Sequence, residues 1–225
     1  MGVSTAESFE SEQPWGPLAW RVILWACVAL VGYEVIHFYL RDPLHYIIDP
    51  TEKSFGPYWP HRIGLWTHIG GATLALFFGP FQFWTGLRDR NPAVHRITGY
   101  IYLTGILIGG CGAWYMATFT TPRSFGIALY SLTAAWWITV GMAFLAIRRG
   151  RIAAHKEWMI RGYVVTLAFV AFRWIEASPL LGDLGSEARN VTIGWACWAV
   201  PLLITEVALQ WRRTMGTARI TTQGA

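Results

Sequence analysis

Two histidines in this chain stand in matching surroundings. His95 sits in GLRDRNPAVHRITGYIYLTG, residues 86–105, where an arginine-rich turn runs into an apolar segment. His155 sits in RRGRIAAHKEWMIRGYVVTL, residues 148–167, in the same kind of setting. Each lies two or three residues before the first strongly apolar position, so their depths match. Two neutral imidazoles at one depth have the chemistry of paired axial ligands to a b-type haem, whose potential depends on ligand identity. Arg96 and Arg161 lie nearby, and arginine pairs bidentately with carboxylates such as haem propionates. The same residue types also suit lipid phosphate at a membrane edge. Both readings stand at this level.

A second set of polar residues falls near the opposite ends of the apolar segments. It comprises Glu34, His37, His68, Arg173 and Glu176. Glu34 and His37 are three apart, as are Arg173 and Glu176, so each pair shares a helical face. Ionisable groups inside a membrane cost about 2.5–3.5 kcal/mol each on insertion scales and usually face a partner or a cavity. This outer set suits a quinone headgroup or a proton path. It equally suits an internal ion-pair network. Glu34, His37 and His68 also match a metal in ligand type.

Elements that could hold these groups follow from composition. Hydrophobic residues make up 54% of the 225 and charged residues 14%; a soluble domain carries about 25% charged residues. Six apolar stretches, near 18–40, 63–86, 97–119, 125–147, 158–177 and 191–211, approach or exceed the roughly 20 residues that cross a bilayer as a helix. The expected fold is all-α: one six-helix transmembrane domain over 18–211, a polar tail over 1–17 and a basic tail over 212–225. No separate soluble domain fits, and no alternation suggests a membrane barrel. The loop RDPLHYIIDPTEKSFGPYWPHR carries several prolines, which argue against helix there. Gly79-Pro80 is expected to kink the second span, with Gln82 just beyond it. Gly105 and Gly109 stand in GxxxG spacing, which permits close helix approach.

Charge placement sets the expected orientation. Arg88, Arg90 and Arg96 follow span two; Arg148, Arg149, Arg151 and Lys156 follow span four; Arg212, Arg213 and Arg219 follow span six. By the positive-inside rule both termini face the cytoplasm, as in a bacterial inner-membrane protein. The net charge of +5 is thereby absorbed by topology and anionic lipid, and nucleic acid need not be invoked. The N-terminus lacks the basic region of a secretory signal, so the first span is expected to be retained. Cys27, Cys111 and Cys197 all fall within spans, which suits packing better than disulfides. No CxxC, Walker loop, HExxH or GxSxG motif assigns a reaction class.

One combination is distinctive: His68, the Gly79-Pro80-Phe81-Gln82 turn, His95-Arg96 with Gly99-Tyr100, and His155 with Trp158-Met159-Ile160-Arg161. Over roughly residues 60–177 the chain resembles a family of bacterial predicted integral membrane proteins, the domain of unknown function 2306. That resemblance implies architecture and carries no settled activity. A more distant likeness is to cytochrome b561-type and ferric-reductase-type haem proteins, where histidines on paired helices hold haem. It carries over to His95 and His155 only, since the fourth span has no histidine to answer His68.

These observations lead to two expectations of different class. One is an electron-transfer protein with haem b held by His95 and His155 and a quinone or metal partner at the outer layer. The other is a non-enzymatic carrier, assembly factor or small-ligand binder without haem. Either could act as a homo-oligomer or as a subunit of a larger complex.

Overall fold

A computed structural model describes residues 43–217, together with Ala29, Gly32, Tyr33, Ile36 and His37. The chain divides into two units, Met1–Ile48 and Asp49–Ala225. Most of the expected first span, Glu34 included, lies outside the described residues. Tyr33 and His37 are helical, with ring centroids 5.7 Å apart, as positions four apart on one helix require. The first unit ends in a short helix, α1 (Pro43–Ile48).

The proline-rich loop is therefore more helical than expected. Pro43 opens α1, where a missing N–H costs nothing because no intrahelical partner awaits it. Thr51 then caps α2 (Glu52–Phe55) by accepting from the Ser54 N–H at 3.4 Å. A 3₁₀ turn over Gly56–His61 leads into α3 (Arg62–Phe78). Gly79 makes the last α-type bond, to the Ala75 carbonyl at 3.0 Å. Pro80 has no N–H to continue the ladder, so the chain tightens into a 3₁₀ turn over Pro80–Gln82. Two short steps later α4 (Thr85–Arg90) turns into α5 (Pro92–Thr118), which also starts on a proline.

From there the unit is a run of long helices: α6 (Arg123–Arg148), α7 (Ile152–Thr166), α8 (Ala168–Ala177) and α9 (Ser186–Thr217). The α6–α7 turn closes through Gly150, at φ 70°. There the Gly150 N–H reaches the Ile147 carbonyl and the Arg151 N–H reaches Ala146, a helix ending that needs a left-handed residue. Between α7 and α8 the chain bends by 41°. Just before the bend the Thr166 hydroxyl donates to the Gly162 carbonyl at 2.9 Å, the kind of back-bonding that loosens and bends helices.

Of the six expected spans, most of the first lies outside the described residues. Among the described residues three helices are long and apolar enough to cross a membrane: α5, α6 and the Ser186–Thr214 part of α9. The bent pair α7–α8 makes a fourth. The helix α3 stops after 17 residues, because Gly79-Pro80 cut the apolar run that reads as continuous in sequence. Large apolar side chains such as Leu203, Ile204, Val207 and Trp211 stay exposed along α9, the pattern of a helix whose outer face meets lipid.

Two contacts fix the interior. In the first, α3 and α5 meet backbone to backbone. A Cβ added at Gly109 would stand 2.8 Å from the Ala72 nitrogen, and one at Gly105 would stand 2.8 Å from the Gly71 carbonyl oxygen. Only glycines permit that approach, and the GxxxG spacing does the work expected of it. In the second, fully buried Tyr102 and nearly buried Trp136 converge on Thr166. The Trp136 indole donates to its hydroxyl oxygen at 2.9 Å, and the Tyr102 hydroxyl lies 3.3 Å away. That hub joins α5, α6 and α7.

Candidate functional site: a histidine pair at the basic end

The starts of α5 and α7 lie at one end of the helices, beside the basic turns. His95 occupies the first turn of α5, since the helix begins at Pro92, earlier than its apolar run suggests. His155 occupies the first turn of α7. The two rings are close enough to interact electrostatically, and Arg88 acts on His95 as well.

Each ring is held differently. The His155 Nδ1–H donates to the carbonyl of Ala143, on α6, at 2.9 Å. A carbonyl only accepts, so the neutral ring carries its lone pair on Nε2. Ligating histidines are oriented by this kind of second hydrogen bond. His95 is half-buried and faces the Phe81 carbonyl, yet its Nδ1 is enclosed without a hydrogen bond of good geometry. A buried polar nitrogen left in this state calls for an explanation, and an absent partner is one.

The helix break supplies the wall beside His95. Gln82, at the end of the 3₁₀ turn, donates from Nε2 to the Thr98 hydroxyl at 2.9 Å. That hydroxyl lies 3.0 Å from the carbonyls of both Val94 and His95. Gly99 leaves room for the Gln82 carboxamide, since a Cβ there would stand 3.0 Å from its Oε1. From α7, the Tyr163 hydroxyl donates to the Leu76 carbonyl at 3.3 Å, and its ring lies against Gly79 and Phe83.

Arg161 departs from the role expected of it. Arg161 is buried, and its Nε and Nη2 donate to one oxygen of Glu206 on α9, at 2.8 and 2.6 Å. Its Nη1 lies 3.6 Å from Glu157, and its guanidinium rests 4.8 Å from the Trp158 ring centroid. Glu157 and Arg161 are four apart with the acid first, the favoured order on a helix. Arg213 pairs with Glu157 in turn, and Gln210 donates to the second Glu206 oxygen at 2.8 Å. Arg161 is therefore spent on a network that ties α7 to α9. Arg96 and Tyr100 are exposed.

The outer set separates into distinct groups. Arg173 pairs with Glu176 at 2.9 Å and lies 5.2 Å from the Phe169 ring, as the ion-pair reading had it. Arg189 donates to the Glu176 carbonyl. His68 turns instead to α5, where its Nδ1–H donates to the Gly109 carbonyl at 2.9 Å within the glycine contact. His37 belongs to the other unit, and Glu34 lies outside the described residues. Among the described residues no group of three His, Cys, Asp or Glu side chains could hold a metal ion.

Sequence reasoning missed one further histidine. His61 stacks on Phe119 with centroids 3.8 Å apart, and its Nδ1 lies 3.1 Å from the Tyr115 hydroxyl. Tyr115 gets there by lying over Gly64, whose missing side chain leaves space for the ring. The glycine at that spacing was the signal available. The Ala143 carbonyl had none, because a backbone acceptor leaves no mark in a sequence.

Two histidines within electrostatic range of each other match a b-type haem in ligand type. The surroundings fit less well. The cavity between α5 and α6 is about 200 Å3, lined by Leu103, Ile106, Trp137 and Val140 among others, and neither histidine borders it. Pockets for ligands of drug size run to about 300–1,000 Å3.

No curated protein and no solved structure matches the chain. A family profile described as "Predicted membrane protein (DUF2306)" matches residues 65–209, which takes in α5 to α8 whole and most of α3 and α9. Several helices long and apolar enough to cross a membrane accord with that description, and the chain belongs to this family of predicted membrane proteins of unknown function.

Proposed function

We propose that the His95–His155 pair is the working centre and that the protein carries electrons within a bacterial inner membrane through a b-type haem. The observation that supports this reading is that two histidines, from the first turns of separate helices, lie within electrostatic range of each other. One of them is fixed by a carbonyl so that its Nε2 lone pair is free. When bound, the haem would supply a one-electron couple. The chain's part is to hold His155 against Ala143, to wall His95 with the Phe81-Gln82 turn, and to exclude water with the apolar faces of α5 and α6. Arg161 takes no part in charge balance, because Glu206 already neutralises it. Arg96 and Lys156, next in sequence to His95 and His155, are cations at this end. On this reading the basic end faces the cytoplasm, and a membrane quinone is the redox partner.

A second reading has its own observation in its favour. The Nδ1 of His95, enclosed without a hydrogen-bond partner, suits a non-redox protein that binds a small ligand or a proton there. A reduced-minus-oxidised absorbance spectrum of the detergent-purified protein, expressed with ample haem supply, decides between the two. An α-band near ~560 nm, lost on His95→Ala and on His155→Ala, is the expected result for bis-histidine ligation. A colourless, well-folded protein overturns the haem reading and leaves the second.

A further inference from the structure

We propose that Gln82 is a positioning residue for His95, and that the Gly79-Pro80 break exists to deliver it. This rests on His95 being functional and says nothing about which ligand it takes.

The argument starts from where α3 stops. A continuous helix would carry residues 79–82 onward along the α3 axis. The break instead folds them into a 3₁₀ turn that lies against the first turns of α5. Two groups arrive there together. The Phe81 carbonyl faces the His95 ring, and the Gln82 carboxamide lies across Thr98 and Gly99.

Thr98 is the link back to the histidine. Its hydroxyl oxygen accepts the Gln82 N–H, while its own proton is shared between the Val94 and His95 carbonyls. Those carbonyls belong to the first turn of α5, where fraying is cheapest and local opening most frequent. Gln82 therefore pins, through one threonine, the turn that carries His95. Gly99 completes the device by leaving the carboxamide its seat. Four side-chain choices at 80, 82, 98 and 99 thus converge on one ring. None of the four is needed for an ordinary helix hairpin at a membrane edge.

The test reads the histidine itself. The full-length protein, as isolated in detergent, is treated with diethyl pyrocarbonate, and modification of each histidine is followed by peptide mass spectrometry. His45, exposed on α1, serves as the internal reference. Gln82→Leu should raise the rate at His95 relative to His45 by about fivefold, the change in local opening that follows losing one side-chain hydrogen bond. Gly99→Ala, which displaces the carboxamide without touching its chemistry, should do the same. Thr98→Val should act like Gln82→Leu, while Thr98→Ser should leave the rate unchanged. Unchanged His95 reactivity in Gln82→Leu and Gly99→Ala overturns the proposal, as does an equal rise at every histidine. Should Gln82→Leu fail to fold, Gly99→Ala and the Thr98 pair decide alone. Haem ligation would slow modification of His95 in the variants and the unmodified protein alike, so the ratio between them still reads the anchoring, and the loss of the haem assignment and the loss of this one are separate results.

Discussion

Arg161 and Glu206 make a demanding test, because the predicted costs of removing them are unequal. The Arg161 side chain is 9% exposed and that of Glu206 is 42% exposed. Removing Glu206 strands a buried guanidinium with only Glu157, 3.6 Å away, to answer it. Breaking a buried pair from one side costs about 3–5 kcal/mol, and a lone charge in a membrane about 2.5–3.5 kcal/mol. Discounted for the exposure of Glu206 and for the remaining Glu157, Glu206→Leu should cost about 2–3 kcal/mol. Arg161→Met leaves a carboxylate that keeps its Gln210 bond and reaches solvent or headgroups, so it should cost only about 1 kcal/mol. The double substitution replaces the pair with apolar side chains of similar size and should recover most of the loss. Thermal unfolding in detergent measures all three. For a chain of this size about 1 kcal/mol moves Tm by roughly 2–4 °C. Glu206→Leu should therefore lower Tm by roughly 5–10 °C, and the double variant should lie close to the unmodified protein. A double variant as unstable as the sum of the singles would refute the reasoning, as would Arg161→Met being the costlier single change.

Two further outcomes test the interior. Gly71→Ala should lower the yield of folded protein sharply, because its Cβ would collide with the Gly109 backbone, whereas Gly70→Ala, with open space around it, should be neutral in size-exclusion chromatography. Thr166→Val should cost about 1–2 kcal/mol by stripping the Trp136 and Tyr102 hydrogen bonds, and Thr166→Ser should restore nearly all of it in the same thermal assay.

Particular residues show how far the sequence carries. The apolar run of α6 reads as one span and is one, because nothing in it interrupts the backbone ladder. The run from 63 to 86 reads the same way and is not one continuous helix. Pro80 lacks a single N–H, and hydropathy does not register a missing donor. The basic turns place His95 and His155 at one depth, because chain direction reverses with each crossing. Depth alone leaves the azimuth of each helix open, so Arg161, which sequence pairs with a propionate, turns out to face Glu206, 45 residues further on.

The sequence by itself determines that this chain is a set of apolar helices with charged turns and glycine-lined contacts. Those properties follow from transfer free energy and local backbone chemistry, which act residue by residue. Only the tertiary structure decides which carbonyl fixes His155, which acid claims Arg161 and where Gln82 lands. Those outcomes depend on helix rotation and close packing, set by van der Waals contacts among residues far apart in the chain.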